Sequence, residues 1–396
     1  MRRMNLKKAN VARSDTIRYI NRQIVLNYVR EREPISRAEI SHETALQRST
    51  VSLIVEELKT EGLIYETEGE STGGRPPSLL RLRGAGCMAI GVDLGTIRTT
   101  VAIADLVGRV VERETFETDP DVKTTFEKIA FHVQNLRGSY PNIEGVGVSV
   151  PGLVDPDTGS VLFIPYFKWR DWSLATELRA ATLLPVTVDN DANAAALAEL
   201  WLGRPEIRDV RDFVLVLVEQ GLGTGIIFDG QIYHGVAGGA GEFGHMTIGK
   251  GAPVLCAAGS GECWEAFASE RAAVARYESR RSTSSTSEVT FRQLLDKALE
   301  GDTTAREALR ETAHYLGLGI SNLAKGMSPE AVIVAGQIAR AWPLIADELR
   351  DALSANTICS GLTSTLVFPS TLGEDTRLMG ALSLVLARKF ASVMTA

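Results

Sequence analysis

Cysteine is scarce in this sequence: its four cysteines, Cys87, Cys256, Cys263 and Cys359, are scattered over 396 residues. So few cysteines at such spacing exclude the disulfide framework of a small secreted protein and leave metal binding as their one expected special role. No apolar run approaches the ~20 residues that span a bilayer, and the basic start lacks the apolar segment of a secretory signal. We therefore expect a cytoplasmic protein with no membrane partner.

The overall composition is that of an ordinary folded protein. With 44% hydrophobic and 23% charged residues, the sequence resembles neither a disordered chain nor collagen. At roughly 150 residues per domain, its length predicts two to three domains and excludes a single small binding module.

Basic residues are concentrated at the start of the sequence. Residues 1–84 contain 15 lysines and arginines against 11 acidic residues, whereas the remainder contains 27 against 38. A basic front predicts a polyanionic partner such as nucleic acid. On charge alone, a solvated tail and helix face would explain it equally well.

The first 45 residues have the pattern of two helices. Apolar residues at helical spacing predict a helix over about residues 15–32. Ser36, followed three residues later by Glu39, forms a capping box that opens a short second helix, in which we expect Ala38 and Ile40 to be buried.

A third helix is predicted over about residues 47–60, after a turn at residues 44–46. In a helix-turn-helix protein the start of this recognition helix enters the major groove, where Arg and Gln can contact base edges. The side chains expected to read double-stranded DNA are Gln47, Arg48, Ser49, Thr50 and Ser52. Three short helices alone would also fit a purely structural role.

The next segment favours DNA binding. Residues 63–67 and 78–82 read as two strands that flank a polar tip at residues 68–77. Arg75, between glycines and prolines in this tip, is suited to a minor groove, whose negative potential attracts a guanidinium. The tip could instead be an interdomain linker, but helix, turn, helix and wing follow in the order that a winged helix-turn-helix requires.

From residue 88 the pattern changes to short apolar strands with glycine turns, which indicates an α/β fold. The predicted elements of a first series are strands at 89–94, 100–106, 110–115 and 145–150, with a helix at 123–137. Those of a second series are strand 213–218, a glycine turn at Gly221–Gly225, strands 226–228, 231–233 and 332–335, and a helix at 306–325. Each half starts with a strand, a glycine turn and a hairpin, so we expect two related lobes with a ligand cleft between them.

Five ordered motifs resemble the ROK family of repressors and sugar kinases, which share an actin-like, two-lobed ATPase (ribonuclease H-like) fold. The motifs are Val150-Pro151-Gly152, Asp189-Asn190-Asp191-Ala192-Asn193, Gly221 to Gly225, Gly241-Glu242-Phe243-Gly244-His245 and Cys256 with Cys263-Trp264-Glu265. The resemblance covers nearly the whole chain, and the winged helix resembles the family's regulator branch. It implies a DNA-binding domain with a basic arm at 1–84, a first lobe at 85–205 completed by helix 376–396, and a second lobe at 206–375.

The resemblance also implies the residues of a sugar site. Asp191 matches the base that takes the proton from the phosphorylated hydroxyl in the kinases. The other positions that match sugar contacts are Gly152, Asn190, Glu242, His245 and Glu265. Carboxylates and amides suit a ring of hydroxyl groups because they are directed acceptors and donors. Asp191 could also be a helix N-cap, and Glu242 with His245 could be a hydrogen-bonded loop pair.

The phosphate-binding motifs differ from those of the family's kinases. Thr96-Ile97-Arg98 follows the first strand in place of a Gly-Gly-Thr-Lys-like turn, and Ala335-Gly336-Gln337 replaces a run of glycines. Glu219-Gln220 replaces a Gly-Thr pair, and a carboxylate repels a triphosphate. We therefore expect no ATP binding and no phosphoryl transfer. Pro165 also replaces a sugar-contacting Asn.

Zinc binding is an open question for this sequence. Family members bind structural zinc through one His and three Cys, and His245, Cys256 and Cys263 match three of them. Ala258 stands at the position of the remaining Cys. Because structural zinc prefers four protein ligands, either water completes the site or the zinc is lost.

We therefore predict a sugar-responsive transcriptional regulator, a repressor of carbohydrate uptake or catabolism genes, with xylose metabolism one candidate pathway. Its expected partners are double-stranded operator DNA, a free sugar in the interlobe cleft and further copies of the chain, as a homodimer or homotetramer. One alternative is an ATP-dependent, glucokinase-like sugar kinase with an appended DNA-binding domain, in which Asp191 is the catalytic residue. Another is a DNA-bound scaffold without a ligand.

Overall fold

The computed structural model describes residues 14–69, 77–207, 210–281, 289–354 and 365–390. Arg75 at the predicted wing tip and Cys359 lie outside these ranges. Across them the chain forms a small winged helix-turn-helix, followed by two five-stranded sheets covered by helices, so the predicted α/β fold class is confirmed. No helix in the described ranges has the length and apolar character needed to span a membrane.

The winged helix-turn-helix is formed by the first six elements. They are α1 (Ser14–Arg32), β1 (Ile35–Ser36), α2 (Arg37–Thr44), α3 (Arg48–Thr60), β2 (Ile64–Glu68) and β3 (Ser78–Leu82). The predicted capping box is present: the Ser36 hydroxyl accepts a hydrogen bond from the Glu39 amide, and the Glu39 carboxylate accepts one from the Ser36 amide. β2 and β3 form the predicted antiparallel wing, and β1 adds a third strand to it.

One burial prediction in this segment is wrong. Ala38 is exposed on α2, whereas Ile40 is fully buried. The helix has only eight residues, and its apolar contact with the core is made by the face that carries Ile40. Ala38, two residues earlier, lies on a different face of the helix because side chains two positions apart do not share one.

The first lobe is built around a five-stranded sheet. Its elements are β4 (Met88–Leu94), β5 (Arg98–Asp105), β6 (Val110–Glu117), α4 (Val122–Ser139), β7 (Ile143–Val150), β8 (Leu153–Asp155), β9 (Ser160–Ile164), β10 (Trp169–Trp172), α5 (Leu174–Thr182), β11 (Val186–Asn190) and α6 (Asp191–Leu202). The sheet has the order β11-β7-β4-β5-β6, and β8, β9 and β10 form a separate three-stranded sheet.

The second lobe repeats this architecture. Its elements are β12 (Phe213–Val218), β13 (Leu222–Phe228), β14 (Gln231–Ile232), α7 (Trp264–Ala268), α8 (Glu270–Arg280), α9 (Phe291–Glu300), α10 (Thr303–Met327), β15 (Ala331–Ala335), α11 (Trp342–Ser354) and β16 (Leu366–Pro369). The sheet order is β14-β13-β12-β15-β16. In each lobe the first three strands form an antiparallel meander and the last two pair in parallel, as the sequence repetition predicts.

The predicted glycine turn at Gly221–Gly225 is wrong in its position. The chain reverses at residues 219–221, and Gly223 and Gly225 lie within β13, paired with β12. These glycines let α6 approach the strand: a Cβ at Gly225 would lie 2.2 Å from the carbonyl oxygen of Ala192. They are therefore packing glycines, and the turn lies just before them.

Two helices connect the lobes at the centre of the molecule. After β16 the chain returns to the first lobe through α12 (Thr376–Phe390), as predicted. α12 packs on β4, β7 and α6, and α6 in turn packs on β12 and β13 of the second lobe. α12 lies very close to β7: a Cβ atom added at Gly147 of β7 would be 1.8 Å from the carbonyl oxygen of Ala381 of α12. α6 is thus held between α12 and the second sheet.

The winged helix and the first lobe share one hydrophobic core. Val25, Leu26 and Val29 of α1 belong to the same buried cluster as Leu382 and Phe390 of α12. Polar contacts reinforce this junction: Asn27 Nδ2 donates a hydrogen bond of 2.7 Å to the carbonyl oxygen of Phe390. α1 is therefore docked on the end of α12 rather than tethered by a loose linker.

Candidate functional site

A cleft of about 600 Å³ opens between the two five-stranded sheets. Its walls come from the carboxyl ends of β7, β11 and β12 and from the loops between β13 and α7. All six residues predicted to bind sugar line it: Gly152, Asn190, Asp191, Glu242, His245 and Glu265. The structure therefore brings together residues that are up to 113 positions apart in the sequence.

The start of α6 forms the floor of the cleft. The side chain of Asn190 caps the helix, because its Oδ1 accepts hydrogen bonds from the amides of Ala192 and Asn193. Its Nδ2 donates to the carbonyl oxygen of Gly152 at 3.1 Å. The cap is therefore Asn190, and the alternative that Asp191 is the N-cap is wrong. Asp191 is the first residue of the helix, and burial raises the pKa of its carboxyl to about 7.

Glu265 and its neighbours hold one wall of the cleft in place. Its Oε1 accepts hydrogen bonds from the amide of Ala257 at 2.7 Å and from Arg271 at 3.3 Å, and its Oε2 accepts one from the amide of Leu222 at 3.3 Å. Arg271 also donates to the carbonyl oxygens of Gln220 and Leu255. Glu265 therefore joins three segments of the second lobe at the edge of the cleft.

Glu242 and His245 lie on one short helical turn that faces the cleft. Glu242 is half exposed, with its Oε2 3.9 Å from His245 Nε2. Burial raises the pKa of Glu242. The separation is longer than a hydrogen bond, so the alternative of a hydrogen-bonded loop pair is wrong. Both side chains are left with capacity to contact a molecule in the cleft.

Arg377 is a cleft residue that sequence reasoning missed. It is at the start of α12, with its guanidinium 3.2 Å from Asp93 Oδ2 at the end of β4 and 3.8 Å from Glu219 Oε2 at the end of β12. Asp191 and Glu270 also raise its pKa, against the opposing effect of burial. One arginine of the first lobe thus pairs with a carboxylate from each lobe at the base of the cleft.

The four carboxylates around Arg377 exceed the charge that it can neutralise. Burial raises the pKa of Asp93, Asp191, Glu219 and Glu270, that of Glu270 to about 8. Raised pKa values of this kind show that adding negative charge here costs free energy. The base of the cleft therefore holds four acidic side chains around one arginine.

Aromatic side chains form the opposite edge of the cleft. Pro165, at the position where the resemblance implies Asn, lines it together with Phe163 and Tyr166. Tyr166 is 63% exposed and packs edge-on against Phe167. The exposed ring lines the cleft beside Pro165, where the resemblance implies an amide side chain.

A second group of polar side chains forms hydrogen bonds around the start of α6. Asp189 Oδ2 lies 2.8 Å from His234 Nε2, and this hydrogen bond raises the pKa of His234. Asp189 Oδ1 accepts hydrogen bonds from the amide of Asn190 and from Asn193 Nδ2. Because His234 follows β14, this network connects the second lobe to the first residues of α6.

The three predicted zinc ligands converge beside the cleft. Ligand atoms of His245, Cys256 and Cys263 all lie within 4.8 Å of one another, and the two sulfurs are 3.3 Å apart. His245 Nδ1 is buried and has no hydrogen-bond partner among the described residues. A tight turn that uses Gly259 at a φ of 80° places the Ser260 amide 3.4 Å from Cys256 Sγ.

This donor set fits Zn²⁺, which favours Cys sulfur and His nitrogen. Two sulfurs bound to one tetrahedral Zn²⁺ would lie roughly 3.8 Å apart, so small side-chain rotations would complete the fit. Ala258, at the position of the expected fourth ligand, is exposed and lines the cleft.

The predicted DNA-reading side chains lie on one exposed face at the start of α3. Gln47, Arg48, Ser49 and Ser52 are exposed and Thr50 is half-buried, while Val51, Ile54, Val55 and Leu58 form the buried face. Ion pairs from Arg18 and Arg22 to glutamates on and after α3 hold α1 beside the recognition helix. Among the described residues, these side chains are therefore exposed at the start of α3.

Comparison with known proteins gives consistent matches. The model of the ROK family matches residues 89–388. The "Xylose repressor" of Caldicellulosiruptor bescii is 32% identical over 390 residues, which cover 94% of this chain and 96% of that protein. A crystal structure of a ROK family transcriptional regulator, described as a homologue of the Escherichia coli Mlc protein, is 26% identical with a TM-score of 0.78 and covers 95% of this chain and 97% of its own. A ROK family glucokinase from Streptomyces griseus, in complex with glucose and AMPPNP, is 30% identical with a TM-score of 0.68 and covers 75% of this chain and 99% of its own.

Proposed function

The chain belongs to the ROK family, and we propose that it is a sugar-responsive transcriptional repressor that reads operator DNA with its winged helix. The similarity to the xylose repressor and to the ROK transcriptional regulator covers the winged helix, whereas the glucokinase match leaves a quarter of this chain unmatched. Xylose is therefore the first sugar to test, and the effector is proposed to bind in the cleft unphosphorylated.

The observation that carries this proposal is the path of two helices from the cleft to the DNA-reading domain. α6 starts at Asp191 and α12 starts next to Arg377, both at the base of the cleft. Their far ends, about 18 Å and 22 Å away at 1.5 Å per residue, contact α1. There the guanidinium of Arg30 lies 4.7 Å from the ring centre of Trp201 and 4.8 Å from that of Phe390.

This geometry supplies a physical route from sugar to DNA. A sugar that binds better to one arrangement of the lobes shifts the population toward it, and the shift moves the ends of α6 and α12. Because α1 is docked on both ends, the winged helix moves with them. In a homodimer, the spacing of two reading heads would then change, and half-site spacing is what a symmetric operator selects.

The base of the cleft also supports a sensor rather than a kinase. The family's kinases neutralise the charge of transferred phosphate, since phosphoryl transfer depends on positioning and electrostatic stabilisation. In this chain, Glu219 adds a carboxylate where the kinases contact the nucleotide phosphates, and Arg377 is already paired with that carboxylate. A nucleotide triphosphate would have to displace this pair and enter a region with excess negative charge.

The test is operator binding by full-length protein, measured by fluorescence anisotropy on DNA from upstream of its own gene. D-Xylose, D-glucose and N-acetylglucosamine are added separately, each with and without ATP. Release of the DNA by one sugar without ATP is the expected result. DNA binding that no sugar changes would contradict the sensor proposal and favour a scaffold without a ligand.

Arg48→Ala tests the division of labour between the two regions. Loss of one bidentate base contact costs about 1–3 kcal/mol, so operator affinity should fall about 5- to 150-fold. Sugar affinity, measured by calorimetry, should stay unchanged. Arg310→Ala, at an exposed arginine on α10, is the matched control. Equal loss of DNA and sugar binding in Arg48→Ala would contradict the proposal.

Sugar kinase activity is the second candidate, and Asp191 favours it. Its buried carboxyl, with a pKa of about 7, matches the requirement that a general base titrate near the working pH. ATP-dependent phosphorylation of a sugar, lost in Asp191→Ala, would establish this activity. DNA release by sugar without ATP, together with the absence of phosphorylated product, would dismiss it.

A further inference from the structure

One carboxylate of the first lobe, that of Asp189, is hydrogen-bonded to both lobes. Asp189 is buried near the end of β11. Its Oδ1 accepts hydrogen bonds from the amide of Asn190 at 2.8 Å and from Asn193 Nδ2 at 3.1 Å, which fixes the start of α6. Its Oδ2 lies 2.8 Å from Nε2 of His234, a residue of the second lobe that follows β14. The same side chain therefore connects the start of α6 to the second lobe.

His234 also begins the loop that leads to Glu242. Its carbonyl oxygen accepts a hydrogen bond of 2.9 Å from the amide of Ala240, which closes the loop between them. This loop packs on β8 of the first lobe, since a Cβ atom added at Gly238 would lie 2.2 Å from the carbonyl oxygen of Val154. Gly238 and Ala240 line the cleft, and Glu242 follows two residues later. The position of His234 therefore sets where Glu242 lies relative to the start of α6.

The charged groups that face His234 come from the first lobe. They are Asp189 at the end of β11 and Asp157 in the turn after β8, while Asn193 of α6, which also binds Asp189, is neutral. The hydrogen bond to Asp189 raises the pKa of His234, and burial opposes this increase. A hydrogen bond between two charged groups is roughly twice as strong as a neutral one. The contact between the lobes is therefore strongest when His234 is protonated.

We propose that His234 is a positioning residue of the sugar site: its hydrogen bond to Asp189 aligns the part of the site in the second lobe with the part at the start of α6. The described residues that line the cleft do not include His234, so it acts through Asp189 and the loop rather than by contact with the sugar. This inference rests on the proposed function, because it concerns the binding of the sugar effector.

The direction of the pH effect follows from this pairing. The paired arrangement brings both halves of the site together, so a sugar that contacts both halves favours it. Because this arrangement also raises the pKa of His234, sugar binding and protonation of His234 favour each other. Sugar affinity should therefore fall as the pH rises above the ordinary histidine pKa of about 6.5. Asp191, whose pKa is about 7, titrates in the same range, so a variant of His234 is needed to isolate the effect.

The first experiment measures sugar affinity of the full-length protein by calorimetry between about pH 6 and pH 8.5, the range around the ordinary histidine pKa. The probes are D-xylose, D-glucose and N-acetylglucosamine. His234→Ala removes a hydrogen bond to a charged group, so affinity near pH 6 should fall about 10- to 150-fold. His234→Gln keeps an N–H donor but does not titrate, so it should restore most of the affinity and lose the part of the pH dependence that His234 contributes.

His314→Gln, at an exposed histidine on α10, is the matched control and should keep the full pH profile. If a sugar binds His234→Ala and the unmodified chain with equal affinity at every pH, the inference fails while the proposed function stands. A loss of affinity in His234→Ala that His234→Gln does not reduce would assign the effect to the packing of the ring and would also overturn the inference.

The second experiment uses no sugar and so separates this inference from the proposed function. The chain has five histidines, and the imidazole signal that is missing in His234→Gln identifies His234 in an NMR titration. We expect its pKa to lie above the ordinary value of about 6.5. In His234→Ala, but not in His234→Gln, the amides of residues 190–193 and 234–241 should exchange hydrogen faster than in the unmodified chain.

An ordinary pKa for His234, or unchanged amide exchange in His234→Ala, would overturn the inference. If both results are as expected but no sugar binds or releases DNA, the proposed function fails while the alignment of the two lobes by His234 remains.

Discussion

Arg30 is the residue whose removal should most directly separate sugar binding from DNA release. It lies in the last turn of α1, and its guanidinium contacts the rings of Trp201 on α6 and Phe390 on α12. Its side chain is only 21% exposed, so these contacts are partly desolvated. Arg30→Ala removes both contacts and leaves the recognition helix and the cleft unchanged.

The size of the effect follows from the geometry. Each of the two cation–π contacts stabilises the docked arrangement by about 0.5–1.5 kcal/mol, and the neighbouring ion pair with Glu31 adds little because it is exposed. A total of about 1–3 kcal/mol corresponds to a 5- to 150-fold weaker docking equilibrium. In Arg30→Ala, the ratio of the operator Kd with sugar to the operator Kd without sugar should therefore be smaller than in the unmodified chain. The decrease should be at most about 5- to 150-fold, and the ratio should approach one.

The assay is operator binding by anisotropy with and without saturating sugar, combined with hydrogen exchange of α1. Arg30→Ala should bind the operator and the sugar with unchanged affinity, lose most of the sugar-induced release, and exchange the amides of α1 faster. Arg32→Ala, at the exposed arginine two residues later, is the matched control. Sugar-induced release of the same size in both variants would refute transmission through this junction.

Two further predictions concern α6. Glu199→Gln should remove a pH-dependent loss of stability. Burial raises the pKa of Glu199 to about 6, so the folded state holds the proton more tightly than the unfolded state. The free energy of unfolding of the unmodified chain therefore falls as the pH rises from about 4.5 through 6. The advantage of the variant in urea unfolding should therefore grow by up to about 2 kcal/mol between about pH 4 and pH 8, whereas Glu206→Gln, at an exposed position, should show no such trend. Gly225→Ala should push β13 away from Ala192, lower the free energy of unfolding by about 1–3 kcal/mol and weaken sugar binding. Gly138→Ala, at a position with open space around it, should have neither effect. Normal stability and sugar affinity in Gly225→Ala would contradict the packing role of this glycine.

Elements with strong local signals could be predicted closely from the sequence. The capping box at Ser36 and the two short strands around the polar wing tip depend on residues that are close together in the sequence, so their bounds were predictable. The six cleft residues were predictable because their motifs resemble those of a known family, although they come together only through the fold. Local pattern alone would not have related Gly152 to Glu265.

The errors arise where tertiary packing decides. A run of alternating glycines reads as a turn, but in the fold Gly225 is needed for the close approach of α6 to β13. Arg377 could not be assigned to the cleft because its partners, Asp93 and Glu219, are more than 150 residues away in the sequence. Asn190 and Asp191 are both suitable caps, and only the backbone direction at the end of β11 decides between them.

The common core of the winged helix and the first lobe has a consequence for unfolding. Because Leu26 and Phe390 are buried in the same cluster, the reading head and the lobe should melt in one cooperative transition. A sugar that binds the folded lobe at 100 times its Kd then adds about 2.7 kcal/mol to the stability of both. In the proposed repressor, the effector would thus raise the free energy of unfolding of the DNA reader while lowering its occupancy of the operator. More of the protein would then stay folded and able to bind again when the sugar is consumed.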